Sequence, residues 1–332
     1  MSLKRTLAGV AAAALALTLA ACAGTSSNEA DSAISGTDEY TIGVAVIVAH
    51  PALQAAQDGF VAVLEEEGIP FKLVEQNAQG DAANAATIAS GFAANEDLDL
   101  ILAISTPIAT AIAAAEHERP ILFTAVTDPV DAGLVPSWDE AGPNISGTSD
   151  LNPGAKPIGL IQEAIPNVGT VGVLYNSSEA NSLPQVAAFQ EEAATLGVNV
   201  KAQAITSAAE ITAGLEALKG VDAILVPTDN TVVAALATVI GFGQENQIPV
   251  FTADASSVED GTVATRGLSY LDLGRATGQM AVEILRDGTP VSSITPQAPD
   301  STDLFINIQA AESFGLTLPQ SLIDDAAEIF GQ

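Results

Sequence analysis

The sequence predicts an α/β protein built as two similar lobes, each a parallel sheet covered by helices. From Tyr40 onward, short runs rich in β-branched and aromatic residues alternate with longer Ala-rich segments of helical character. Strict alternation of that kind implies parallel strands with helices on both faces. The chain also repeats itself. Ile42-Gly43-Val44 opens one half and Val171-Gly172-Val173 the other, and in each a helix-period segment ends at a glycine 25 residues after the first, Gly68 and Gly197. Such glycines suit helix C-caps. Asp99-Leu100-Ile101-Leu102 then matches Asp222-Ala223-Ile224-Leu225, and Pro120-Ile121-Leu122-Phe123-Thr124-Ala125 matches Pro249-Val250-Phe251-Thr252-Ala253. A parallel over about 85 residues per half predicts two lobes of like build.

Taken in order, the strands read as residues 41–48, 71–77, 100–104, 121–126, 170–175, 199–204, 223–227 and 249–253. Helices read as residues 52–67, 82–94, 107–116, 155–164, 183–196, 208–217, 232–246 and 271–286. A last extended run covers residues 303–309. One simple cut does not divide the lobes. The expected division is 40–147 plus about 270–297 for the N-terminal lobe, and 148–269 plus about 298–332 for the C-terminal lobe, with a hinge of several strands.

The start of the chain stands apart. Lys4 and Arg5 precede an apolar stretch from Leu7 to Leu19, and Leu19-Ala20-Ala21-Cys22 closes it. This is the pattern of a secretory signal, and its end resembles the lipobox of bacterial lipoproteins, which implies that Cys22 becomes an acylated N-terminus bearing fatty acid such as palmitate. Cys22 is the sole cysteine, so no intramolecular disulfide forms. Residues 23–39, rich in Ser, Ala, Gly, Asp and Thr, read as a flexible tether. The expected place is the cell membrane, anchored by lipid and facing the extracellular or periplasmic side.

Composition narrows the function further. Hydrophobic residues make up 48% and charged residues 15% of 332 positions, which fits packed cores and not disorder. The net charge of −31 becomes about −33 without Lys4 and Arg5, and a body this acidic repels nucleic acid. His50 and His117 are the only histidines and lie in different segments with no Cys partner, so a metal centre or a Ser-His-Asp set would have to use one of them. No phosphate loop and no G-x-G-x-x-G follows the first strand. An enzyme is not expected, and neither cofactor nor metal is required.

What remains is a set of polar strand tips. The first half supplies Ala49-His50-Pro51, Ser105-Thr106-Pro107 and Thr127-Asp128-Pro129. The second supplies the stretch from Asn176 through Asn181 and Ser182, then Thr228-Asp229-Asn230-Thr231, then Asp254-Ala255-Ser256. Helix capping explains any one of them. Together they should face one crevice, because ligands of open α/β sheets sit at the carboxyl ends of the strands. Asp128 or Asp254, with no long helix to cap, suits an ammonium group. Ser105, Thr106 and Thr228 with nearby N–H groups suit a carboxylate, and the Thr228 turn should lie opposite Ser105-Thr106-Pro107. Basic residues are nearly absent from the tips, so a small zwitterion fits better than an anion.

The ordered set of motifs also resembles a known family. His50-Pro51-Ala52-Leu53, Asn77-Ala78-Gln79-Gly80-Asp81, Thr124 through Pro129, Leu174-Tyr175-Asn176 with Glu179-Ala180-Asn181-Ser182, Val226 through Thr231, and Tyr270-Leu271-Asp272-Leu273-Gly274-Arg275 follow one another at the expected spacing. They are similar to those of the substrate-binding lipoproteins of ABC transporters of the tryptophan-binding type, over about Tyr40 to Gln332. The resemblance implies the type I periplasmic-binding-protein fold of two Rossmann-like lobes, a monomer, and an amino acid, aromatic in characterised relatives, delivered to an ABC permease. Carried over by position, the implied contacts are His50, Pro51, Ser105, Thr106, Thr127 and Asp128 on the first lobe. On the second they are Asn176, Asn181, Ser182, Thr228, Asp229, Asn230, Asp254 and Tyr270. Ser105 stands where Thr or Ala is usual. The apolar part of the ligand would rest on His50, Pro51 or Tyr270. A ligand sensor for a membrane signalling protein, or a binder of a sugar or nucleoside, would share most of these features.

Overall fold

The computed structural model describes residues 39–151, 156–299 and 302–331. The signal, the acylation site at Cys22 and the tether up to residue 38 lie outside the described residues. No helix among the described residues is long and apolar enough to cross a membrane.

The first lobe follows the alternation read from the sequence. Its elements are β1 (Tyr40–Val46), α1 (Pro51–Glu66), β2 (Phe71–Asn77), α2 (Ala82–Ala93), β3 (Leu100–Ile104), α3 (Thr106–Ala115), β4 (Ile121–Val126) and β5 (Ile145–Ser149). They form one sheet in the order β2-β1-β3-β4-β5, parallel throughout. Strands β3 and β4 are buried along their whole length, as parallel strands covered on both faces must be. Strand β5 is an addition to the sequence reading. Its Ile-Ser-Gly-Thr-Ser carries one large apolar side chain, and the other side chains are buried hydroxyls that bond to neighbouring elements, Ser146 to the Ile294 carbonyl oxygen and Ser149 to that of Thr127. Thr148 Oγ1 meets Thr124 Oγ1 at 3.0 Å and Thr277 Oγ1 at 2.7 Å.

The second lobe begins at α4 (Pro157–Ala164) and runs through β6 (Thr170–Asn176), α5 (Ser182–Leu196), β7 (Asn199–Ile205), α6 (Ile211–Ala217) and β8 (Ala223–Val226). It continues with α7 (Asn230–Val233), α8 (Leu236–Asn246), β9 (Val250–Thr252), α9 (Ser256–Glu259) and β10 (Ala264–Gly267). Its main sheet, β7-β6-β8-β9, is parallel. The single helix expected over residues 232–246 is two, α7 and α8, because the first turn is tied down by buried carboxylates described below. Gly197 takes the left-handed conformation that closes α5, with φ of 71°, and Gly68 does the same after α1 at 65°.

After β10 the chain leaves for the first lobe as α10 (Tyr270–Leu285) and comes back as β11 (Asp303–Asn307), α11 (Ile308–Ser313), α12 (Gln320–Asp325) and β12 (Glu328–Phe330). Helix α10 packs along α1 through glycines. A Cβ on Gly274 would collide with the Ala56 carbonyl oxygen, and one on Gly59 with the Leu271 carbonyl oxygen. Strands β10 and β11 pair antiparallel and β11 pairs β12 parallel, so this small sheet departs from the all-parallel expectation. The reason is the excursion: the chain returns beside the strand it left, running the other way. Two hydrophobic cores result. One gathers Phe60, Phe123, Met280 and Val282, the other Phe251, Leu225, Ile306 and Phe314.

Candidate functional site

The carboxyl ends of the two parallel sheets face each other across a narrow cavity. The lobes touch over it, with Thr127 Oγ1 3.4 Å from Thr228 Oγ1. This contact differs from the expected one: opposite Thr228 stands Thr127, and the Ser105 turn lies behind it. Eight of the sequence-predicted residues line the cavity, namely His50, Thr127, Asn181, Thr228, Asp229, Asn230, Asp254 and Tyr270.

The others are placed differently. Pro51 is exposed at the first position of α1. Thr106 supports the wall, its Oγ1 accepting from the Thr127 N–H at 3.2 Å. Ser105 is buried, at φ 93°, with no partner for its Oγ. With Ala125 at φ 54° on the neighbouring strand end, it makes two non-glycine residues in conformations that side chains disfavour. Asn176 and Ser182 stand behind Asp229, giving its Oδ2 an N–H at 2.6 Å and a hydroxyl at 2.7 Å.

The two aspartates expected to meet an ammonium are already occupied. Asp128 Oδ1 accepts from the Val130 and Asp131 N–H groups, both at 3.0 Å, and the side chain borders an adjoining, larger pocket beside α5 that shares Thr127, Asp150 and Thr228 with the cavity. Asp254 is buried in the cavity wall, but Ser257 supplies its N–H to one oxygen at 2.8 Å and its hydroxyl to the other at 2.6 Å. It ties down the turn that leads into α9. That helix is four residues long, too short to register as a periodic pattern.

A carboxylate not foreseen also lines the cavity. Asp150 follows β5 on the first crossing between lobes and is buried. Its Oδ2 accepts from the Tyr270 hydroxyl at 2.6 Å, and its Oδ1 has no partner. Burial pushes its carboxyl above the ordinary range, with the Tyr270 hydroxyl opposing, while burial and then the Asp150 charge push the Tyr270 phenol well up. Asn181 Oδ1 is likewise buried and unpartnered. An unpaired buried acceptor is costly and points to a missing donor.

Donors come from the other side. His50 precedes α1 and both its ring nitrogens are buried without partners. Burial pushes the ring down to about 4, so it is neutral at pH 7 and can donate from one nitrogen. The Ala52 and Leu53 N–H groups open α1 at the cavity wall, and the first N–H groups of a helix have no acceptor within it. Apolar area is supplied by Leu53, Ala125, Val233 and the Tyr270 ring. Among the described lining residues none is Lys or Arg.

A parallel-sheet lobe on each side, a chain that crosses between them more than once, and a cavity lined by polar side chains at the strand ends define a two-lobed receptor of the type I periplasmic-binding-protein fold. The chain belongs to the ABC transporter substrate binding protein family, whose sequence profile matches residues 41–330. It is 38% identical over 274 residues to a tyrosine-binding protein of Clostridioides difficile (strain R20291), covering 81% of this chain and 79% of that one. In structure it is similar to a domain from Streptococcus pneumonia solved in complex with L-Trp, at 34% identity and a TM-score of 0.84, covering 88% and 100% of the two chains. It also matches the ligand-free, open structure of a substrate binding protein with adhesive properties from Clostridium difficile, at 40% identity, covering 88% of this chain and 100% of that one. That TM-score is 0.64, lower despite the higher identity. This chain has its lobes in contact at Thr127 and Thr228.

Proposed function

We propose that the protein captures an aromatic amino acid, tyrosine, tryptophan or phenylalanine, between its lobes outside the cytoplasm and delivers it to an ABC permease, held at the membrane by lipid on Cys22. The observation that carries this reading is the polarity of the cavity. Unpaired acceptors at Asp150 Oδ1 and Asn181 Oδ1 suit an ammonium group. The free N–H groups of α1 with His50 suit a carboxylate. Leu53, Ala125, Val233 and Tyr270 suit the apolar side chain between them. Relatives named for tyrosine binding and solved with L-Trp support the same ligand class. The family is one of binding proteins, and the cavity supplies the contacts of a clamp.

A ligand panel followed by thermal unfolding tests the proposal. An aromatic amino acid at a hundred times its dissociation constant should add about 2.7 kcal/mol of stability. No shift with any of the three, or a larger shift with a sugar or nucleoside, would overturn it. Anchoring is tested separately: Cys22→Ser should move the protein from the membrane to the soluble fraction.

A further inference from the structure

We propose that Glu179 is a specificity-determining residue: it makes the second-lobe wall of the cavity an acceptor surface and thereby selects ligands that carry a primary ammonium group. The inference rests on the amino-acid reading above. Glu179 lies behind the wall and is buried. Its Oε1 accepts from the Thr231 N–H at 2.9 Å and the Thr231 hydroxyl at 2.7 Å. Its Oε2 accepts from the Asn230 N–H at 3.0 Å and the Asn230 Nδ2 at 2.6 Å, with Asn181 Nδ2 at 3.4 Å.

The consequence lies in what is left for a ligand. A polar turn followed by a helix ordinarily offers free N–H groups to an anion. Here they are spent: Thr228 N–H donates to Gln185 Oε1 at 3.1 Å, Asn230 and Thr231 donate to Glu179, and Val232 donates to Asp229 Oδ1 at 2.9 Å. The amide of Asn181 is set by the Thr228 carbonyl oxygen together with the same carboxylate. Its Nδ2 faces Glu179 Oε2 and the Thr228 carbonyl oxygen, the latter at 2.7 Å, so its Oδ1 must be the end turned away. A flipped amide would press its oxygen against two acceptors. That Oδ1 is buried and unpartnered in a residue that lines the cavity. Glu179 touches no ligand itself; it positions the group that does.

Calorimetry with the full mature chain tests this, using L-tyrosine and L-tryptophan against 3-(4-hydroxyphenyl)propionate and indole-3-propionate, which lack only the amine. The parent should prefer the amino acids strongly. Glu179→Gln places an NH₂ group against buried donors and weakens one of the two acceptors that hold the Asn181 amide, so the preference should fall roughly tenfold or more. Asn181→Ala removes the acceptor and should lower it comparably, and the double variant should add little to either. A merely structural Glu179 would lower affinity for both members of each pair and leave their ratio alone, which would overturn the inference. If Glu179→Gln does not fold, Asn181→Ala decides: a parental ratio there also overturns it. A parent that binds no amino acid defeats the underlying reading, whereas a parent that binds while both variants keep its ratio defeats only the role of Glu179.

Discussion

Asp150 shows how much a single unpaired oxygen can decide. It is held by Tyr270 through one oxygen and presents the other to the cavity. Asp150→Asn keeps the shape and removes the charge, and should weaken amino-acid binding by roughly ten- to a hundredfold, the range of a charge-assisted hydrogen bond. Asp128→Asn should leave affinity near the parent value, since its carboxylate caps a turn; calorimetry on the pair distinguishes the two. Titration gives a second residue-scale expectation. Burial, then the Glu179 charge, pushes Asp229 from 3.8 to about 7. A raised carboxyl favours the fold in its protonated form, so this contribution is complete below pH 3.8 and is lost as pH rises through about 7. His50 acts in the other sense: lowered from 6.5 to about 4, its contribution is complete above 6.5 and is lost as pH falls through about 4. The melting temperature of Asp229→Asn should therefore gain on the parent as pH rises, and that of His50→Gln as pH falls. Differences that do not vary with pH would refute both assignments. Sequence made the polar tips visible because capping residues announce strand-to-helix turns. It hid Asp150, since Ile145-Ser146-Gly147-Thr148-Ser149 lacks the apolar pattern of a buried strand and nothing marked what followed it as a tip.

At the scale of elements, the crossing of α1 and α10 is the tightest junction in the first lobe. Gly59, Gly274 and Gly278 let the two backbones meet, each with no room for a Cβ. Gly274→Ala should lose about 3 kcal/mol or more, because backbone and not a movable side chain opposes the added methyl. Gly91→Ala on α2 meets open space and should gain about 0.5–1 kcal/mol from helix propensity. Chemical denaturation of the two variants checks the contrast. The long elements were legible because period and length agree, with β2, β3 and β4 read at their observed bounds. Strands β5, β10 and β12 were not legible. They have five, four and three residues, and partners supplied by distant chain define them more than their own pattern does.

For the molecule as a whole, the lobes and their repeat could be read from two glycines and the strand order, while closure could not. Closure depends on Thr127 meeting Thr228 across 101 residues of sequence, a tertiary fact with no local signature. Saturating tyrosine or tryptophan should reduce the radius of gyration in small-angle scattering if the ligand-free chain rests open, as hinge-bending receptors do. Identical profiles with and without ligand would mean that the cavity forms without it.

The excursion of α10 has a bearing on how the chain is made. The first core needs α10 and the second needs β11, so the first lobe cannot be completed before Leu285 has been synthesised, nor the second before Asn307. Contacts this distant in sequence slow folding, since the intervening chain must be ordered before they form. For a protein proposed to work outside the cytoplasm, slowness of this kind is useful. A nascent chain whose two cores both wait for their last pieces stays pliable long enough to be threaded through a translocation channel.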